Sequence, residues 1–509
     1  MMRPAEVGRK MKPSVCVFRL TVIVYQVDLL KRDALELLSF VWSTKNTFVP
    51  INKIPPKVFS LVAHHCNEGK DLVTLTHVCH RWREIFVSCP SLWTSLDCRN
   101  IDKTRVYLKH SKASPLKIRI KDSFLKDAFH LTIPHLSRFG DFSLSVSSND
   151  FCELTEHLCS PAPLIKTLSF DATDTEQPIL RDGVFGGDLS SLRDLSLNGV
   201  VADLAWDNMS NLRTLDLLDI PSDEISITQL LHFFERAPLL CKIGLWGALP
   251  YSSDVSLGRV VALPNLKSLL ISAQQSHTIL MNHLSIPAGA LTTQELYFPD
   301  DYPPIPFHLP KTLENLKNLS NITSLNLDFD SGIHLRLRGP SGGLTMPCHW
   351  FGPGSTAPIN THCEILRSLH VFSMSEVERL AISHWPHHSR QETIEPSIYR
   401  TFLLISNLHM LTLVDCISPP FITVLNPQGN VSGTLVFPKL EELSVYIKNR
   451  SRFYGKELLE MAKERASRGA KLKAVTIIGL QELVPAKEVF KLRAQVEHVE
   501  HRWDCILPS

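Results

Sequence analysis

The chain has no Cys-x-x-Cys pair, no phosphate-binding glycine-rich loop with its lysine, and no uninterrupted apolar run long enough to cross a bilayer. Each of these removes a class of protein. Without paired cysteines, the 12 scattered thiols of the 509 residues do not read as a disulfide framework. They point to a reducing compartment, cytoplasmic or nuclear and not secreted. The Asn-x-Ser/Thr matches at Asn208, Asn318, Asn321 and Asn430 then carry no glycosylation. The apolar stretch from Val15 to Val27 is broken by Arg19, Thr21, Tyr25 and Gln26 and is too short to span a membrane. No small-residue cleavage site follows it, so it reads as a strand or helix in an N-terminal extension. Charge of one sign is also lacking: Lys+Arg total 53 against 51 for Asp+Glu, a net of +2. Bulk charge therefore does not drive nucleic-acid binding. Neither nucleic acid nor membrane is expected as a partner.

What is present is a normal globular balance, 44% hydrophobic and 20% charged, in a chain suited to a small module plus a long array. Residues 51–97 carry the strongest helical signals. Pro55 and Pro56 suit a first helical turn, and Val58, Leu61, Val62 and His65 follow on one face. Asp71 suits an N-cap. After it, Leu72, Leu75, Val78, Cys79, Trp82, Ile85 and Phe86 recur at helical steps, which predicts one amphipathic helix ended by Pro90. Three short helices bury too little surface to stand alone, so this unit should lean on a neighbour or a partner.

Beyond Leu116 a second pattern recurs: apolar, two residues, apolar, one residue, apolar. Copies include Phe139-x-x-Phe142-x-Leu144, Leu192-x-x-Leu195-x-Leu197, Leu212-x-x-Leu215-x-Leu217, Leu266-x-x-Leu269-x-Ile271, Leu366-x-x-Leu369-x-Val371, Leu408-x-x-Leu411-x-Leu413 and Leu440-x-x-Leu443-x-Val445. A degenerate copy lies at Leu296-x-Phe298. The spacing between copies is mostly in the leucine-rich-repeat range of about 20–30 residues. Each copy predicts a short strand, and stacking in parallel gives a continuous core from about Leu116 to Ile478. Leu195, Leu215, Leu269, Leu411 and Leu443 should point inward. Helices are expected at Thr228 to Arg236 and Lys456 to Arg468, with a capping helix from Ala486 to Glu497. Ser331 to His362 and Trp385 to Ser397 break the period and read as surface insertions.

Three motifs invite chemistry. Gly339-Pro340-Ser341-Gly342-Gly343 fits the nucleophile-elbow spacing, but Leu344 to Pro347 is no helix start, so a loop is expected. His64, His65, Cys66, His77, Cys79, His80 and Cys89 lack tight ligand pairs, so packing is expected over zinc. His384, His387 and His388 read as a solvated loop. No cofactor, metal or catalytic residue is assigned.

The segment Ile54-Pro55-Pro56, Asp71-Leu72-x-x-Leu75-x-x-Val78-Cys79-His80-Arg81-Trp82 and Pro90-x-Leu92-Trp93 resembles the F-box. The wider layout resembles F-box proteins with irregular leucine-rich repeats common in mushroom-forming fungi. Ser114 to Ile118 is similar to the Ser-Pro-Leu-x-Ile stretch that often leads into their repeats. Two features depart from the pattern. Lys57 stands where the family usually has an acidic residue, and Val200, Ile220 and Cys416 stand where an Asn normally follows the strand.

The resemblance implies an α/β chain: an N-terminal extension at 1–48, an F-box at 49–97 and a leucine-rich-repeat-like solenoid at 98–509. It implies a substrate-recognition subunit of an SCF-type cullin–RING ubiquitin ligase, and not an enzyme. Pro55, Val58, Leu61, Leu72, Leu75, Val78, Trp82 and Ile85 would bind the Skp-type adaptor and through it the cullin. The repeats would bind a protein substrate that the sequence does not name. The alternative is a non-catalytic scaffold that acts without cullin.

Overall fold

The computed structural model describes residues 13–65, 71–181, 183–202, 209–220, 225–247, 258–272, 277–299, 313–330, 332–351, 366, 368–384, 399–415, 419–427, 434–447, 455–479, 484 and 486–502. The chain divides into two units, residues 1–119 with 123–139, and residues 120–122 with 140–509.

The first unit is mainly helical. A long helix α1 (Pro13–Thr47) contains the whole Val15 to Val27 stretch. It precedes α2 (Pro56–His65), α3 (Asp71–Thr76), α4 (His80–Val87) and a 3₁₀ turn at Pro90–Trp93. No described helix is long and apolar enough to cross a membrane. The short strand β1 (Ser95–Leu96), helix α5 (Ile101–Ser111) and strand β2 (Leu116–Lys121) follow, with β1 parallel to β2. Asn100 caps α5 by accepting from the Lys103 N–H at 2.9 Å.

The single helix expected from Asp71 to Phe86 is in fact two, α3 and α4. The break follows from the residues around it. Val73, Thr74, Thr76 and Val78 are β-branched and lose rotamer freedom in a helix. The Thr76 hydroxyl donates to the Val73 carbonyl at 2.6 Å, which competes with helix continuation. Cys79 is extended (φ −160°, ψ 170°) and opens α4. Arg83 Nε then donates to the Thr76 carbonyl at 3.1 Å, which satisfies a group the break would leave open.

The second unit is rich in strands. The longer ones, in chain order, are β3 (Phe139–Val146), β4 (Thr167–Ala172), β5 (Asp194–Asn198), β6 (Thr214–Leu218), β7 (Lys242–Trp246), β8 (Ser268–Ser272), β9 (Leu291–Pro299), β10 (Ser324–Asp328), β11 (Ile333–Arg338), β12 (Gly343–Phe351), β13 (Arg379–Ser383), β14 (Met410–Val414), β15 (Glu442–Ile447), β16 (Ala474–Gly479) and β17 (His498–Arg502). Strands β3 to β9 pair in parallel, each with the next in sequence. Strands β13 to β17 do the same. The register keeps equivalent residues side by side, so Leu168, Leu195, Leu215, Ile243 and Leu269 form one inward row. The five leucines expected inside, Leu195, Leu215, Leu269, Leu411 and Leu443, are all 0–1% exposed. Alternate residues point outward, as strand geometry requires. Helix α6 (Ile227–Arg236) carries a full capping box between Ser226 and Gln229, and α7 (Gly455–Ser467) is followed by Gly469 at φ +81°.

Four expectations need correction. Within the expected insertion from Ser331 to His362, β11 and β12 form a hairpin built into the sheet. Strand β12 runs parallel to β9, β11 is antiparallel to both β12 and β10, and β10 is parallel to β13. The alternation of Ile333, Leu335 and Leu337, all 0% exposed, was the available signal. Second, Leu369–Val371 is a 3₁₀ turn, and the strand lies at the later copy Val377-x-x-Leu380-x-Ile382. Leu369 and Leu380 are both buried, so the apolar pattern alone did not separate turn from strand. Third, the last helix is shorter, α8 (Ala486–Leu492). Fourth, a further strand, β17, ends the parallel series beyond Ile478. The segment Trp385 to Ser397 lies outside the described residues.

The missing asparagines have a structural counterpart. One residue, two positions past the last inward apolar side chain, turns left-handed after several strands: Gly199 (φ +61°), Asp219 (+49°), Gly247 (+60°), His384 (+54°) and Asp415 (+50°). Its N–H donates to the neighbouring strand. Gly199 bonds the Leu218 carbonyl at 2.9 Å, Asp219 that of Trp246 at 2.7 Å, His384 that of Val414 at 2.7 Å, and Asp415 that of Tyr446 at 2.9 Å. Backbone bonds thus tie the strand ends, while Val200 and Ile220 are buried as apolar residues; Cys416 lies outside the described residues. Gly and Asp visit this conformation at low cost, whereas β-branched residues do not. Gly199→Val should therefore lower stability by about 1–2 kcal/mol, and Gly199→Asn by much less. Urea denaturation compares the two; equal midpoints for valine and asparagine would refute the role of φ.

Candidate protein-docking site

The short helices of the first unit fold around a small aromatic core. Phe59, Ala63, Leu72, Phe86, Leu92 and Trp93 are at most 3% exposed. Trp82 meets Phe59 edge-on (centroids 4.9 Å apart, 71°) and Phe86 likewise (5.8 Å, 84°). Its indole N–H donates to Asn52 Oδ1 at 2.7 Å, and Asn52 Nδ2 donates to the Asn46 carbonyl at 2.6 Å. Trp93 donates to the Phe86 carbonyl at 2.8 Å and meets Tyr107 edge-on at 5.1 Å. Burial raises the Asp97 carboxyl, but the hydrogen bond and charge of Lys103, 2.9 Å away, outweigh it and hold the carboxyl below its usual range. Burial pushes the Cys98 thiol up to about 12, so it acts as packing and not as a nucleophile.

Against this core, part of the apolar surface stays uncovered. On α2, Val58 is 44% exposed, Leu61 61% and Val62 53%. Their spacing puts them on the side of the helix away from Phe59 and Ala63. Pro55 and Val78 are exposed too, while Leu75, Trp82 and Ile85 are half-buried. Leu72 is 0% exposed, which corrects its assignment to the adaptor-binding set: it holds the unit together from inside. Val62 and Val73 are exposed apolar residues outside that set. The step of four from Val58 to Val62 was a sufficient signal for the first. A polar-rimmed cleft of about 410 Å³ lies beside this surface, lined by Trp42, Asn46, Asn52, Val78, Arg81 and Glu84.

Residues 51–99 match the family model of the F-box-like domain. The chain contains an F-box-like domain. No curated protein matches the chain. F-box-like domains generally bind Skp-type adaptors, and the exposed apolar side of α2 lies within this one.

The other sequence motifs resolve differently. In the F-box-like domain, His80 sits 3.5 Å from Glu84, and Cys89 contacts the Ser91 hydroxyl. Cys66 lies outside the described residues, as do His387 and His388. Among the described residues no group of three or more His, Cys, Asp or Glu is arranged to hold a metal. In the second unit, Gly339 to Gly343 is the turn of the β11–β12 hairpin, closed by Gly339 N–H to the Gly342 carbonyl at 2.9 Å. The segment after Ser341 is a strand, so the geometry of a nucleophile elbow is not met.

His384 is not part of a solvated loop. Its Nδ1 lies 3.0 Å from Asp328 Oδ1 and its Nε2 4.0 Å from Asp415 Oδ2, so it links the ends of β10, β13 and β14. Two strands away, His334 meets His349 edge-on at 5.7 Å, and His349 stacks on Tyr297 at 5.2 Å. The Tyr297 hydroxyl donates to Glu295 at 3.0 Å. Burial lowers the pKa of His334, helped by His349 and Arg336 and opposed by Asp328. Sequence reading missed this polar-aromatic row because its members come from separate strands brought together by the inserted hairpin.

Proposed function

We propose that this chain is the substrate-recognition subunit of an SCF-type cullin–RING ubiquitin ligase. The observation that carries this reading is the F-box-like domain at 51–99 with an apolar helix side left uncovered. That side suits a helical partner by helix-in-groove packing, with the Skp-type adaptor as occupant. The parallel strands of the second unit then serve as an irregular leucine-rich-repeat-like solenoid. Their outward side chains, including the row from Tyr297 to His384, offer a protein substrate polar and aromatic contacts.

Such a subunit works by proximity. It holds the substrate at one end and the ligase at the other, which raises the effective concentration of substrate lysines near the transferring enzyme. Its own residues carry out no bond chemistry in this scheme, and Ser341→Ala should leave ubiquitin transfer unchanged. Affinity purification of the tagged full chain from its own cells, read by mass spectrometry, tests the proposal. Adaptor and cullin should both be recovered. Adaptor without cullin would favour the scaffold reading, and neither would overturn both.

A further inference from the structure

Helix α1 lies within the first unit, yet its large apolar side chains from Phe18 to Trp42 are uncovered. From Leu20 to Val41 the helix carries Leu20, Ile23, Val27, Leu30, Ala34, Leu37 and Val41 at alternating steps of three and four. The six larger side chains of that series are each 54–68% exposed, and Ala34 is exposed as well. A step of 3.5 residues is the period of a coiled-coil seam, with these residues at the a and d positions.

The charges of the helix settle which seam is possible. Arg19, Asp28, Lys31, Arg32, Asp33 and Glu36 all fall outside this series. Any other heptad phase drawn along the same stretch meets one of Arg19, Asp28, Lys31, Arg32 or Asp33 at an inward position. A helix that merely lies against an irregular surface has no need for one uninterrupted seam sustained over three heptads. The partner that matches a 3.5-residue seam along its whole length is a helix with the same repeat, and α1 of a second chain supplies it.

We infer that α1 pairs with α1 of a second copy of this chain as a parallel two-stranded coiled coil. The middle of the seam favours that state: Val27 and Val41 are β-branched at a and Leu30 and Leu37 occupy d, the arrangement that selects parallel dimers, while the first pair, Leu20 at a and Ile23 at d, does not share it. An antiparallel pair centred on the seam would bring Lys31 against Lys31 of the other copy, whereas a parallel pair keeps them apart. Seven apolar residues per helix leave water along about 33 Å of helix. This is the packing that a long exposed helix needs for stability. Because both chains run the same way, two F-box-like domains would follow the coil at one end.

The test is the solution mass of the full chain by light scattering after size exclusion, at tens of micromolar and below. Wild type should elute at about twice 57.4 kDa. The double variant Leu30→Lys, Leu37→Lys should be monomeric, with dimer affinity reduced at least about 100-fold by unpaired charges in the seam. The control Leu29→Lys, Leu35→Lys changes equally apolar, exposed residues off the seam and should remain dimeric. In an Ile23→Cys variant, a short bis-maleimide should give a covalent dimer beyond the wild-type background. An antiparallel pair would hold those two thiols about 20 Å apart. A monomeric wild type would overturn the inference. So would a control that dissociates as readily as the seam variant, or a wild type that stays monomeric and instead floats with phosphatidylcholine vesicles.

Discussion

Leu61→Asp should weaken binding of the Skp-type adaptor by about 30-fold or more while leaving the chain folded. Leu61 is 61% exposed in the free chain, so an aspartate there meets water and costs the fold little. In the complex the same carboxylate would be buried against an apolar partner without a counter-charge, a loss of about 2 kcal/mol or more. Val58→Asp should act in the same direction. Leu72→Ala is the informative contrast. Leu72 is fully buried, so its truncation should cost roughly 2–5 kcal/mol of stability and affect adaptor binding only through unfolding. Isothermal titration with purified adaptor, beside circular dichroism of each variant, separates these outcomes. A folded Leu61→Asp chain that binds as tightly as wild type would remove α2 from the docking surface.

Arg465→Ala should destabilise the second unit by about 3–5 kcal/mol. Arg465 projects from α7 and is 0% exposed. Its guanidinium donates to the Val436 and Phe437 carbonyls, both at 2.7 Å. Phe437 is held at φ +53°, so those carbonyls belong to a bend outside the strand ladder, where the Phe437 carbonyl also accepts from the Leu440 N–H at 3.1 Å. Burial pushes the arginine down to about 10, which still leaves it charged at neutral pH. Removing the side chain strands the Val436 carbonyl, leaves the Phe437 carbonyl with the Leu440 N–H alone, and empties the volume of a large residue. Arg465→Lys should recover part of the loss, since an ammonium replaces a two-pronged donor with a point. Hydrogen exchange in α7 and β15 reads the effect. Unchanged protection in the alanine variant would contradict it.

Much of the second unit was legible because a strand buried on one face repeats its apolar residues at fixed spacing. Leu195, Leu215, Leu411 and Leu443 were placed by that pattern alone. What escaped it were features that the period does not encode. The β11–β12 hairpin uses the same inward alternation but sits among Gly339, Pro340, Gly342 and Gly343, whose turn chemistry masked the strands. The left-handed residues after the strands were visible only as Gly199, Asp219, Gly247, His384 and Asp415, a mixed set whose shared role is a backbone angle. In the F-box-like domain the helical steps were read correctly at Leu72, Leu75, Trp82 and Ile85, but not the break at Val78 and Cys79. Helical periodicity survives a short interruption, and so it does not report one. Which apolar residues remain uncovered depends on how α2 packs on Phe86 and Trp82, a tertiary matter. That is why the pattern did not separate buried Leu72 from exposed Leu61, and why Val62, read on the same face as Val58, was left out of the adaptor-binding set.

A chain that joins a protein substrate to a cullin–RING ligase through its F-box-like domain must hold adaptor and cullin together in one complex. The most direct measurement is reconstitution of the full chain with purified Skp-type adaptor and cullin, followed by size exclusion with light scattering. Wild type should give one co-eluting complex that contains all three, and Leu61→Asp should lose it. A folded wild-type chain that elutes apart from the adaptor and cullin would contradict it.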